Sequence, residues 1–280
     1  VQDIFFQSDI KSFFNHIPRS PIIDCIRQET RDDELVDLFC KALDVHLKNP
    51  EELVGYTHLF PNDNVGVAQG SSLSAFAGNV LLFDLDHRLN GMGVTSIRYI
   101  DDILMVSESR ASLERAVEYA TKVLQAFNLD FYKPGDGKGK ASEGECKDSI
   151  SFLGCTIQPN RCVPSASAIK RFKAEVNEIL SLSQSAISEA ARNGKAVETR
   201  MSVGSTLHAL GRKAYGWQKS FAFCTDHGPF QQIDNFLAKR TNDYSAFVDR
   251  QTRRLDPILR MGILGVPSIA RIHGHQTKKE

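Results

Sequence analysis

The stretch RYIDDILMV, residues 98–106, constrains this chain more than any other. It sets two carboxylates, Asp101 and Asp102, side by side between apolar runs. Such runs around a short polar break read as two strands joined at Asp101, a hairpin. Aspartate is common in tight turns, so a solvated turn accounts for the pair without any chemistry. A third carboxylate opens another reading. Asp9 ends the apolar, strand-like run DIFFQSDI, where a carboxylate needs a partner, a metal or a turn to cap. If the hairpin pairs beside that strand, three carboxylates converge, and divalent cations must offset their repulsion. Mg²⁺ suits such hard oxygen ligands and keeps positions open for substrate phosphates. Two ions about 3.5–4 Å apart serve phosphoryl transfer.

The rest of the pattern frames that centre. KSFFNHIP turns into a short helix stopped by Pro18, and helical patterns follow around 20–29 and 32–47. Residues 48–66 are irregular. SSLSAFAGNVLLFDLDHRLNGMG starts on good capping residues and reads as one helix ending at Gly91 or Gly93. Residues 110–128 form an amphipathic helix, and SISFLGCTI reads as a strand. From Pro164 the pattern is helical, about 165–182, 185–193, 199–218 and 228–249. The expected boundary falls at QPNRCVP, giving domains 1–158 and 159–280. PGDGKGKAS is not a phosphate loop: Pro134 stands where Gly is required, and Ala follows Lys140.

Charge divides along the same line. Residues 1–160 carry 15 Lys+Arg against 24 Asp+Glu, a net of −9, and residues 161–280 carry 19 against 10, a net of +9. A basic half beside an acidic one fits a polyanion-binding surface next to a metal-binding one, or two halves that neutralise each other. No apolar run approaches the roughly 18–20 residues of a membrane helix, and the start lacks signal-peptide features. A chain opening on Val1 and a strand suggests a fragment whose natural start lies upstream. The six cysteines include no C-x-x-C pair and no His partner at zinc-ligand spacing, so they read as reduced thiols in a cytoplasmic protein. HGH at 273–275 reads as a solvated tail.

Four segments in order, FFQSDIKSFFNHIP, VAQGSSLSAFAGNVLL, RYIDDILMV and SFLGCTI, resemble motifs A, B, C and E of reverse transcriptases. The resemblance covers roughly residues 1–160. It implies an α+β right-hand palm, an antiparallel sheet backed by helices with partial fingers, followed by an all-helical thumb. Asp9, Asp101 and Asp102 match the catalytic aspartates, with Asp9, Asp101 and the Ile10 carbonyl as main metal ligands and Asp102 in support. Two Mg²⁺ ions, or Mn²⁺ in their place, are implied. Backbone amides of Lys11, Ser12 and Phe13 would face the incoming triphosphate. Phe14 matches the steric gate that excludes a 2′-hydroxyl, although Phe13 and Phe14 cannot be told apart by periodicity. Gln69 and Gly70 match the nucleotide-contacting pair of motif B, and Tyr99 would lie near the primer end. Lys140 fits the motif D lysine best, with Lys138 and Lys133 as rivals. Phe152, Leu153 and Gly154 match the primer grip. Lys170, Arg171, Lys173, Arg212, Lys213, Lys239, Arg240, Arg250, Arg253 and Arg254 supply a basic thumb.

The departures are local. Ala68 and Ala75 replace prolines frequent in bacterial motif B, YIDD replaces the commoner YADD, and the VTG tripeptide of retron enzymes is absent. The divergent motif B points to a defence-associated or domesticated prokaryotic lineage. The implied function is RNA-directed DNA synthesis on a DNA or RNA primer from deoxynucleoside triphosphates, in the cytoplasm, with a dedicated noncoding RNA as a further partner and no membrane. The alternatives are template-independent or protein-primed synthesis on the same fold, and an idle RNA-binding scaffold.

Overall fold

The computed structural model describes residues 3–46, 48–56, 61, 64–136 and 139–269. Lys138 and the HGH tail lie outside them. Two compact units divide the chain between Asp148 and Ser149.

The first unit is built on strand β1 (Ile4–Asp9), the hairpin β2 (Thr95–Tyr99) and β3 (Asp102–Ser107), and β4 (Ala141–Glu145). The sheet order is β2-β3-β1-β4, with every pair antiparallel. Its register explains its two faces. Phe6 stands opposite Met105 and Ser8 opposite Ile103, and side chains alternate with period two, so these residues share one face. That face is buried against helices α4 (Ser72–Leu81), α5 (Phe83–Asn90) and α6 (Arg110–Ala126). Asp9, Asp102 and Tyr99 fall on the other face, where Tyr99 is 57% exposed. A slip of one residue would bury the carboxylates and expose the core.

Short helices α1 (Phe13–His16), α2 (Arg19–Thr30) and α3 (Asp33–Leu43) follow β1. The segment expected as one helix from 71 to 91 is two, α4 and α5, broken at Leu82. β4 was not expected from the sequence.

The second unit opens on a three-stranded antiparallel sheet, β5 (Ile150–Phe152), β6 (Cys155–Gln158) and β7 (Arg161–Pro164). The SISFLGCTI segment is therefore a hairpin, not a single strand. Helices α7 (Ala166–Asn193), α8 (Val203–Ser220), α9 (Gly228–Thr252) and α10 (Pro257–Leu264) complete the unit. The division lies ten residues before the expected 158/159 boundary because β6 packs with the helices after it: Cys155, Ala168, Phe221 and Cys224 form one buried cluster. Helices thus dominate only from Ala166, after β7. The charge boundary coincides with the structural one, since residues 149–160 carry no charge. Among the described residues, no helix is long and apolar enough to cross a membrane.

Candidate active site

Hydrogen bonding of the backbone brings the three aspartates to one place. Asp9 and Asp102 are direct partners across β1 and β3. Asp101 occupies the two-residue turn between Tyr99 and Asp102, and its carbonyl accepts from the Ile10 amide at 2.8 Å. In extended backbone, the N–H and C=O of a residue in an antiparallel pair point to the same side, so the Ile10 carbonyl also faces the hairpin tip. On the opposite flank, the Lys11 amide donates to Asp130 O (2.8 Å) and Tyr132 N to Asp9 O (3.2 Å).

The carboxylates respond to this crowding. Burial, a hydrogen bond with Asp9 and the charges of Asp9 and Asp101 push Asp102 up to about 7. Asp101 is raised as well, chiefly by burial, with its own backbone amide opposing the shift. Lys140 Nζ donates to Asp9 Oδ2 at 2.8 Å, and this contact raises the lysine further above its ordinary value. Lys140 also lies over the Tyr132 ring, 5.1 Å from its centroid. Asp9 and Asp102 are hydrogen-bonded to each other, and the charge of Asp101 acts on Asp102. The carboxylates of Asp9, Asp101 and Asp102 and the Ile10 carbonyl are hard oxygen donors that fit a divalent cation, and the crowding that raises Asp101 and Asp102 is what such a cation would relieve.

The hairpin tip is held from beneath. Arg98 is on the helix-packed face, opposite Ile103, and its side chain is only 3% exposed. It donates from Nε to Asp86 Oδ1 (2.8 Å), from Nη2 to Asp86 Oδ2 (2.5 Å), and from Nη1 to Asn79 Oδ1 (3.2 Å) and Ile100 O (2.8 Å). The clamp secures Ile100 at φ 61°, a left-handed conformation that β-branched residues strongly disfavour. Arg98 and Asp86 were not singled out from sequence. The available signal was a charged residue inside the strand-like run VTSIRYI.

Motifs A and B form one wall. Phe13 is buried, and a Cβ on Gly78 would come within 2.7 Å of its ring, so Gly78 makes room for it. Phe14 is only partly buried. The structure thereby separates the two phenylalanines, Phe13 as core and Phe14 as the ring left near the surface. The Phe14 carbonyl accepts from Val67 N at 2.8 Å, and Gln69 Nε2 donates to Asn15 Oδ1 at 3.1 Å. Arg19, buried and likewise missed from sequence, donates to Gly66 O at 2.8 Å and ties the two motifs together. Gly70 adopts φ 90° before Ser71, which caps α4 through Leu73 N.

The Lys11 amide donates to Asp130 O, where residues 130–132 run beside the chain just past β1. The Lys11 side chain is also paired, with Asp130 at 2.9 Å. Ser12, in the left-handed region at φ 46°, and Phe13 retain the amides of the α1 first turn. Of the candidate motif D lysines, Lys140 contacts an aspartate, whereas Lys133 lines a groove beside α6 and β4.

A family model described as reverse transcriptase (RNA-dependent DNA polymerase) matches residues 2–157, more than half of the chain. The chain belongs to the reverse transcriptase family. No curated protein matches it in sequence. Among solved structures it is similar to telomerase from Candida albicans in complex with a fragment of telomeric RNA. That match has 12% identity and a TM-score of 0.44, and covers 91% of this chain and 45% of the other. It is also similar to apo telomerase from Candida tropicalis truncated from the C-terminal domain, with 13% identity and a TM-score of 0.39, covering 59% and 36%. The chain thus spans less than half the length of either telomerase.

The remaining motif residues of this family member lie in the second unit. Leu153 and Gly154 form the two-residue turn of β5–β6, at φ 49° and 76°, the pair of positive values typical of a type I′ hairpin. Phe152 is buried in that unit and Leu153 is 43% exposed, so only Leu153 and Gly154 are presented at the tip.

Proposed function

We propose that this reverse transcriptase adds deoxynucleotides to a primer 3′ end on an RNA template. The observation that carries the reading is the Asp9–Asp102 register at the mouth of a clamped hairpin, with Lys140 on Asp9. Asp9, Asp101, Asp102 and the Ile10 carbonyl would hold two divalent cations, Mg²⁺ or Mn²⁺. When bound, such ions polarise the attacking and leaving oxygens of an in-line phosphoryl transfer. Lys140, whose ammonium sits on Asp9, would be placed to offset charge on the departing pyrophosphate or to donate a proton to it. The Phe14 ring closes the space a 2′-hydroxyl needs, while Gln69 and Gly70 orient the base. Tyr99, Leu153 and Gly154 support the primer. The net charge of +9 on the second unit suits it as a thumb gripping the phosphates of the duplex.

The Ala68 and Ala75 departures favour a defence-associated or domesticated prokaryotic lineage, acting in the cytoplasm with its own noncoding RNA. Primer extension tests the activity. Asp101→Ala should lower incorporation by at least about 10³-fold, and full retention would exclude the assigned site. Phe14→Val should raise ribonucleotide use by about tenfold or more, the effect of roughly 1–2 kcal/mol of lost steric discrimination. A product formed without template would favour template-independent synthesis instead.

A further inference from the structure

Three cysteines distant in sequence meet in the second unit. Cys155 lies on β6, Cys162 on β7 and Cys224 in the connector between α8 and α9. Their sulfurs all lie within 4.8 Å of one another, the one group of three or more potential ligands among the described residues to do so. Cys162 Sγ and Cys224 Sγ are 4.0 Å apart. A disulfide needs about 2.05 Å. Two thiolates on one metal at about 2.3 Å stand about 3.8 Å apart in tetrahedral geometry, which the observed separation nearly matches.

The ligand positions are also fixed in advance. Thr225 N donates to Cys162 O (2.9 Å) and Cys162 N donates to Thr225 Oγ1 (2.9 Å), which zips the connector to β7. Arg161 adds a fork on Asp226 Oδ2, at 3.0 and 2.8 Å. Trp217, Phe221 and Phe230 pack around the sulfurs and exclude water, while the partly exposed Cys162 gives access. Burial raises the Cys155 thiol, and burial with its sulfur neighbours pushes Cys224 up to about 12.

We propose that Cys155, Cys162 and Cys224 form a trithiolate site for one soft d¹⁰ cation, Zn²⁺ or Cu⁺. Soft thiolates select these ions. Three ligands suffice for trigonal Cu⁺, whereas Zn²⁺ takes water as its fourth. Binding forms sulfur–metal bonds and releases the thiol protons to solvent, with no change of oxidation state. The site staples the three-stranded sheet to the helices that follow it.

The full chain, purified anaerobically without chelator, should carry about one equivalent of zinc or copper by elemental analysis. Zinc-selective and Cu⁺-selective chelators then distinguish the two ions. Co²⁺ added to metal-free protein should give a thiolate-to-cobalt charge-transfer band. Cys162→Ser should weaken Co²⁺ binding at least about tenfold, and Cys25→Ser should leave it unchanged. If Cys162→Ser fails to fold by circular dichroism, the stoichiometry and cobalt spectrum of the unaltered chain decide. A purified chain without zinc or copper, whose metal-free form binds neither Co²⁺ nor Cu⁺ while all three thiols alkylate, would overturn the proposal in favour of plain packing. A Cys162–Cys224 disulfide in the anaerobic product would overturn it as well.

Discussion

Two hairpins, one in each unit, solve the same geometric problem in opposite ways. Both turn in two residues and both begin with a positive φ, 61° at Ile100 and 49° at Leu153. The β5–β6 turn continues through Gly154, which reaches φ 76° at no steric cost, and its tip needs no clamp. The β2–β3 turn puts a β-branched residue where glycine is preferred, then follows it with two carboxylates. Four hydrogen bonds from one buried arginine hold it there. Unfavourable backbone and like-charge crowding coincide at the tip that presents Asp101 and Asp102, which ties the strain to presentation of the aspartates.

Removing the clamp should separate the two hairpins most sharply. Arg98→Met strands Asp86 and the Ile100 carbonyl, and should cost about 3 kcal/mol in urea unfolding, with incorporation falling alongside. The cost would be larger but for the partial exposure of Asp86. An unfolding curve that does not move would show that the tip holds itself.

Next in size is the electrostatic cost of the acidic tip. A carboxyl raised in the folded state opposes folding once it ionises. For Asp102, raised from 3.8 to about 7, metal-free protein should lose stability as pH climbs from 4 to 7 and level off above it. Asp102→Asn should therefore stabilise metal-free protein by about 2 kcal/mol at pH 8 and by almost nothing at pH 4, read from thermal unfolding at the two pH values. Added Mg²⁺ should raise the melting temperature of the unaltered protein more at pH 8 than at pH 5, because protons compete for the same oxygens.

The smallest effects belong to the second hairpin. Gly154→Ala meets no atom closer than 3.7 Å, so its expected loss of about 1 kcal/mol is purely conformational. Leu153→Gly should gain up to about 1 kcal/mol, since relief of its left-handed conformation outweighs the loss of a side chain that is 43% exposed. Equal responses from Ile100→Gly would remove the contrast, for there the lost burial of Ile100 against the core should cancel the relief.

Element by element, legibility followed the presence of an apolar period. β1 and β3 are short apolar runs and α6 repeats at helical spacing, and each lies where the pattern puts it. β4, with the sequence Ala-Ser-Glu-Gly-Glu, has no such signal; it is an edge strand held by backbone pairing to β1. α7 was read as two helices because Ser183, Gln184 and Ser185 interrupt its apolar stripe. Ser183 is in fact buried, bonded to Met201 O at 2.9 Å and Tyr244 Oη at 2.7 Å, so the helix runs through.

The sequence alone determined the reverse transcriptase family, the adjacent pair Asp101–Asp102 in a hairpin and the reversal of charge between the halves, because these are written in local residue order and composition. Tertiary structure decided which phenylalanine is core, which lysine reaches Asp9, that Arg98 anchors the tip, and that Cys224 joins cysteines 62 and 69 residues away. Each of those depends on long-range register or packing, which no local spacing encodes.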